Sequence, residues 1–364
     1  MPMNVNELLQ AMIRKGISDI HFKAGVTPIL RVNGRLIMTT LEKMSSKQIE
    51  ELAYSLMSKD QISTFERENE LDFSFGIEAV SRFRVNVYRQ KSTVAVTLRV
   101  IPLKVKTFED LHLPADPLRK LCGESRGLIL VAGITGAGKT TTMNAMLDFI
   151  NHNFAYNIVT VEDPIEYYHV DAKSSISQRE VGPDTKSFKS ALKYVLRQDP
   201  DVIGIGEMRD FEAMSAGITA AETGHLVIST IHTMDAAQTI DRIVDSYPPH
   251  QQHQVRVQLS SLLKGVIAQR LLPIVGGEGR VPAVELLLGT STMRKLIAEG
   301  RTEDMYHAME SGGYYGMNTF DQSLLRLHQE GKITLEEAMA NASNPEDLQL
   351  KLKGIDRSGA SSGT

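Results

Sequence analysis

A chain of 364 residues, 42% hydrophobic and 23% charged, has the composition of a soluble globular protein long enough for two domains. A net charge of −4 supplies no general basic field, which weighs against a nucleic-acid motor. One cysteine, Cys122, supports neither a disulfide framework nor a CxxC zinc module, and a reducing, cytoplasmic setting is expected.

Residues 4–15 carry Val5, Leu8, Leu9, Met12 and Ile13 at helical spacing, which predicts an amphipathic helix. Met1-Pro2-Met3-Asn4 is not a basic region followed by an apolar core, so no signal peptide is expected. Ile17 to Phe22 reads as a strand, and Ile29 to Met38 as a hairpin turning at Asn33-Gly34. Ser45 or Ser46 can cap a helix bearing Ile49, Leu52, Leu56 and Met57. Three strands follow near 70–76, 82–90 and 93–101. In the second, Phe83, Val85 and Val87 alternate with Arg82, Arg84, Asn86 and Tyr88, giving a polar, largely basic face. Residues 1–101 therefore read as a mixed α/β domain, and the proline-bearing stretch 102–117 as a linker.

Within the second domain, 118–364, apolar strands alternate with helices from about residue 127, the pattern of a parallel sheet with crossovers. Strands are expected at 127–132, 157–161, 202–206 and 225–231. Beyond 245 a helix over Arg256 to Leu272, a strand over Val281 to Leu288 and helices near 291–298, 302–310, 319–329, 334–341 and 345–352 are expected. Residues 357–364 are Ser/Gly-rich and are expected to form a flexible tail. No run of about 18 apolar residues suggests a membrane span.

Gly133-Ile134-Thr135-Gly136-Ala137-Gly138-Lys139-Thr140 fits G-x-x-x-x-G-K-[ST], the phosphate-binding P-loop, with a strand before it and a helix from Thr141 after it. Gly133, Gly136 and Gly138 allow backbone N–H groups at Thr135, Ala137 and their neighbours to face phosphate oxygens. Lys139 reaches the β/γ-phosphates of ATP, the Thr140 hydroxyl is suited to Mg²⁺, and Thr141 opens the helix beside it.

Hydrolysis also needs carboxylates, and two sets lie at predicted strand ends, where ligands of such sheets gather. Glu162, Asp163 and Glu166 follow the strand at 157–161 and suit water activation or Mg²⁺ coordination; the structural alternative is an acidic loop capping a helix that starts near Pro164. Asp201 to Glu207 has the strand-then-acid form of a Walker B element, with Glu207 suited to Mg²⁺ through its water shell and Gly206 where an aspartate is usual. Asp210 can cap the helix Phe211 to Thr223. His225 and His232 fall on opposite faces of a strand and should not share a metal. His232 is either a hydrogen-bonded structural residue or a γ-phosphate sensor. Arg82, Arg84, Arg89 and Arg99 form either a solvated basic face or a set of which some reach phosphate.

Together the P-loop, IVTVEDPIEYY around 158–168, DVIGIGEMRD at 201–210 and the stretch 225–233 resemble the Walker A, Asp box, Walker B and His box of the secretion-superfamily hexameric ATPases. Leu196 to Pro200 and Gly16 to Phe22 are also similar to that family. Three features are most similar to its pilus-retraction branch: a short amino-terminal domain, no tetracysteine segment, and Thr292 to Glu299, similar to a helix reading roughly AIRNLIRE but departing from it at positions including Met293, Lys295 and Ala298.

The resemblance implies an α/β fold: a PAS-like domain, then a RecA-like ATPase domain with a helical carboxy-terminal extension over about 290–356. It implies a homohexamer using ATP and Mg²⁺, with nucleotide held between the two domains of a subunit. It implies docking onto the inner-membrane platform protein of a pilus machine (PilC-like), without membrane insertion. It assigns water polarisation to Glu162, the Mg²⁺ shell to Glu207, and phosphate contacts to Arg82, Arg84 and Arg99. The expected function is a motor that powers pilus retraction. The alternatives are an accessory retraction ATPase (PilU-like), an extension or type II secretion ATPase, and a nucleic-acid motor.

Overall fold

The computed structural model describes residues 17–32, 35–77, 81–101, 104–277 and 279–353. The expected helix over 4–15, the Asn33-Gly34 turn and the tail at 357–364 lie outside the described residues. The chain divides into two compact units. One runs to Lys104 and takes in Glu166–Tyr168; the other comprises Val105–Ile165 and the chain from His169 onward.

The first unit is a six-stranded antiparallel sheet in the order β3-β2-β1-β6-β5-β4. Its strands are β1 (Ile17–Phe22), β2 (Ile29–Val32), β3 (Arg35–Met38), β4 (Glu70–Ile77), β5 (Ser81–Gln90) and β6 (Thr93–Ile101). The period-two pattern of β5 is realised: Phe83, Val85 and Val87 are fully buried, with Ile20, Phe22 and Leu98 from neighbouring strands. Among the described residues two helices complete the unit. Ser46–Leu56 starts at a capping box between Ser45 and Gln48, and Lys59–Glu68 at a second between Ser58 and Gln61. The second helix is absent from the sequence reading, although Ser58-x-x-Gln61 announces it. Leu56 and Phe65 point inward from these helices.

The second unit is built on a seven-stranded sheet in the order β13-β12-β7-β11-β10-β8-β9. Its strands are β7 (Gly127–Ala132), β8 (Asn157–Glu162), β9 (Ser175–Glu180), β10 (Val202–Ile205), β11 (Leu226–Ile231), β12 (Leu263–Pro273) and β13 (Arg280–Leu288). All neighbouring pairs are parallel except β12 with β13. β11 lies directly beside the P-loop strand β7. Every residue of β7 and β11 is buried, the continuous apolar run of a parallel strand covered on both faces. β9 and the helix Phe188–Val195 had not been read from the sequence.

The helix expected over Arg256 to Leu272 is a correction. The helix is Pro249–Leu262, and the chain then enters β12, paired on one side with β7 and on the other with β13. Its apolar run is buried nearly throughout, and such a run carries no period that separates strand from helix. Gly265 lets β12 pack closely, since a side chain there would meet the Leu121 methyl carbons at 2.9 and 3.1 Å. A helix Ala115–Cys122 also occupies the end of the stretch read as linker. The expected carboxy-terminal helices are present at Ser291–Glu299, Met305–Glu310, Phe320–Gln329, Leu335–Asn341 and Pro345–Leu352, the second flanked by the 3-10 turns Thr302–Asp304 and Ser311–Tyr315.

Candidate functional site: the phosphate loop and its carboxylates

The loop between β7 and the helix Lys139–Asn153 has the backbone the sequence demands. Gly133, Gly136 and Gly138 all have positive φ. At Gly133 a Cβ would sit 2.8 Å from both the Ala137 Cβ and the Gln269 carbonyl oxygen, so only glycine fits. The helix starts at Lys139 with no side-chain cap on its first amides. A helix N-terminus and its dipole at the mouth of a glycine loop are suited to an anion. Thr135 and Gly136 are exposed at the loop tip, while Ala137 is buried; Thr140 and Thr141 are half-buried.

Lys139 is buried, and its Nζ donates to the carbonyls of Gly133 (2.9 Å) and Ile134 (3.1 Å). The same Nζ is 3.5 Å from His232 Nδ1, while His232 Nε2 is 3.2 Å from Glu207 Oε1. An ammonium only donates, so Nδ1 accepts and the ring proton sits on Nε2, directed at Glu207. Glu207 Oε2 accepts from Arg209 Nε at 2.8 Å. Three residues singled out in the sequence, Lys139, His232 and Glu207, are thus one hydrogen-bonded group. His225 turns elsewhere, its Nδ1 lying 2.9 Å from the Ala220 carbonyl oxygen. Asp210 caps the helix Phe211–Glu222 through the Ala213 N–H.

The three carboxylates after β8 separate. Glu162 is buried, whereas Asp163 and Glu166 are exposed. No helix starts at Pro164, so the helix-capping alternative is corrected. Glu162 Oε1 accepts from the Thr160 hydroxyl (2.7 Å) and from Gln178 Nε2 (3.1 Å). Gly206 explains its own departure from the usual aspartate: a Cβ there would press on the Glu162 Cα and the Val161 carbonyl at 3.3 Å.

Two contributors were missed in the sequence. Gln269 of β12 accepts from Thr142 Oγ1 (2.9 Å) and donates to the Ala137 carbonyl (2.6 Å), fastening the loop from behind. Reading β12 as helix hid it. Gln178 was missed because β9 was.

The arginines belong to the first unit. Arg82 bonds the Tyr168 hydroxyl and lies over that ring, 4.7 Å from its centroid. Arg84 Nε is 3.8 Å from Asp72 Oδ1. Arg99 Nε donates to Asp19 Oδ1 at 2.7 Å, and Arg89 binds both oxygens of Glu66.

For Mg²⁺ the donor chemistry fits, since a hydroxyl at Thr140 and a carboxylate at Glu207 are hard oxygen ligands. No helix among the described residues is long and apolar enough to cross a membrane.

Residues 1–340 match the family model described as type II/IV secretion system protein. The chain is 44% identical to the type IV pilus retraction ATPase PilT of Pseudomonas aeruginosa over 95% of this chain and 100% of that one. It is 40% identical to the type IV pilus ATPase PilU of the same organism, over 96% and 92% of the two chains. A crystal structure of the pilus retraction motor PilT with bound ADP superposes with a TM-score of 0.89 at 45% identity, covering 95% of this chain and 99% of that one. The chain belongs to the type II/IV secretion system protein family.

Proposed function

We propose that this protein is an ATP-hydrolysing motor that powers retraction of a type IV pilus. The observation that carries the reading is the joining of Lys139, His232 and Glu207 in one group beside the glycine loop, in a chain matching a retraction ATPase over 95% of its length. Lys139 exchanges its loop carbonyls for the β/γ-phosphates of ATP, and the first amides of the following helix cradle them. Mg²⁺ would be held by Thr140 and, through water, by Glu207; when bound it neutralises charge on the triphosphate. Glu162, held by the Thr160 hydroxyl and the Gln178 amide, orients the attacking water. His232 reports on the terminal phosphate, and Arg82, Arg84 and Arg99 supply phosphate contacts. Residues 1–101 form the amino-terminal domain, 102–117 its linker and 118–364 the ATPase domain. Six copies form the working ring, which is recruited to the inner-membrane platform protein of the pilus and disassembles the fibre at its base.

Nucleotide binding and turnover by Lys139→Ala and Glu162→Ala test the chemistry. Lys139→Ala should bind weakly, and Glu162→Ala should bind but not turn over; wild-type turnover in Glu162→Ala overturns its role. Deletion in cells should leave pili present but non-retracting, whereas absent pili indicate an extension motor. The 40% identity to PilU favours, as a second reading, an accessory subunit that depends on a paralogue. Absence of turnover by the purified chain alone would select it.

A further inference from the structure

We propose that Gln178 is a positioning residue for hydrolysis: its amide, oriented by the backbone N–H of His169, sets the Glu162 carboxylate. The inference rests on the reading of Glu162 as the residue that orients water. Gln178 lies on β9 in register with Thr160 of β8, so the two flank the same strand end from adjacent strands. Both donate to Glu162 Oε1, Thr160 at 2.7 Å and Gln178 at 3.1 Å. Two converging donors on one oxygen fix the carboxylate rotamer.

What orients the amide is the His169 N–H, which donates to Gln178 Oε1 at 2.8 Å. A backbone N–H can only donate, so the carbonyl end of Gln178 faces it and the NH₂ end faces Glu162. His169 is itself fixed. It is buried, its Nε2 is 2.7 Å from Asn144 Oδ1, and Asn144 Nδ2 donates to the Thr140 carbonyl at 2.9 Å. Three side chains, Asn144, His169 and Gln178, therefore join the P-loop threonine to Glu162. Outer partners of this kind hold a reacting group within the narrow geometry that chemistry needs.

The test uses the full chain, with steady-state ATPase, nucleotide affinity and thermal melts for Gln178→Leu, Gln178→Glu and Glu162→Gln. Gln178→Leu should lower kcat about tenfold to a hundredfold while nucleotide affinity changes less than about threefold. Gln178→Glu has the same shape but sets a second carboxylate against Glu162, so its kcat should fall further than that of the leucine variant. A strand-packing role predicts the reverse order. Added to Glu162→Gln, Gln178→Leu should cost no further single-turnover rate, because the two act as a unit. Wild-type kcat in either folded Gln178 variant, or equal losses in both backgrounds, overturns the proposal. If Gln178→Glu fails to fold, the leucine variant and its cycle decide. Wild-type turnover by Glu162→Gln would instead remove the reading of Glu162 itself. An inactive Glu162→Gln beside a normal Gln178→Leu removes the positioning role alone.

Discussion

The Nε2 of Gln269 donates to the carbonyl of Ala137 at 2.6 Å, tying the middle of β12 to the middle of the phosphate loop. The other end of the same amide accepts from Thr142 Oγ1, and Gln269 is buried. One side chain therefore holds both the loop and the first turn of the helix that follows it. Replacing it by Leu leaves a buried carbonyl and a buried hydroxyl without this partner, at a cost of about 1–3 kcal/mol. Gln269→Leu should lower the melting temperature and weaken nucleotide binding on the order of tenfold. Unchanged affinity in a folded Gln269→Leu would show that the loop keeps its shape alone.

Gln269 also marks where the sequence stops being legible. The P-loop was readable because each position has a separate chemical reason, and its strand and helix carry clear periods. Glu162, Glu207 and His232 were readable as polar residues ending apolar strands. Gln269 sits instead inside a run from Leu263 to Leu272 that is buried on both faces, and burial on both faces erases the period. Gln178 lies in SISQRE, a short polar edge strand with no apolar alternation, visible only once β8 is there to pair with it. The first unit was legible wherever one face of a strand is wet, as in β5. The helix Lys59–Glu68 escaped because its single fully buried side chain, Phe65, makes no stripe.

Gly204 in β10 faces Thr160 in β8, and the two are register partners. A Cβ at Gly204 would lie 2.9 Å from the Thr160 Cγ2 and 3.2 Å from a Leu147 methyl. Thr160 would have to rotate, and its hydroxyl is one of the donors on Glu162. Gly204→Ala should therefore cost about 1–3 kcal/mol of stability and lower kcat more than nucleotide affinity. Paired ATPase and binding titrations check this; a loss confined to affinity would place the damage at the phosphate loop instead.

Asp19 in the first unit is nearly fully buried, with Arg99 Nε at 2.7 Å and Arg31 Nε at 3.7 Å. Burial pushes its carboxyl up, but hydrogen bonds from Arg99 and Ser18 and the charges of Arg99 and Arg31 outweigh this and hold it below the ordinary 3.8. A depressed acid contributes stability above its unfolded value and loses it as pH falls through the folded one. Asp19→Ala should cost about 1–2 kcal/mol at pH 7, discounted because Arg99 is largely exposed. The difference from wild type should shrink as the pH is lowered from 5 toward 3. Circular dichroism melts across that range check it, and a difference that stays constant would mean the effect is packing.

Glu285 in β13 behaves in the opposite sense. It is buried, and its Oε1 accepts from the Ala236 N–H at 2.9 Å, the first turn of the helix Ala236–Asp245. The Phe320 N–H, opening the helix Phe320–Gln329, is a second donor. Burial is the main cause that pushes its carboxyl up to about 7, helped by the charge of Asp235 and opposed by these N–H groups and by Arg270. Here the folded form holds its proton more tightly than the unfolded form does. Its contribution is therefore complete below the ordinary 4.5 and is lost as pH rises through about 7. Within that window each pH unit removes up to about 1.4 kcal/mol. Glu285→Gln has no proton to lose, so its denaturation free energy should lack this decline between pH 5 and 8 and cross or approach the wild-type curve at the alkaline end. Urea titrations at several pH values measure it directly, and parallel curves for the two proteins would mean that Glu285 stays ionised in the fold, its charge carried by the two helix N-termini.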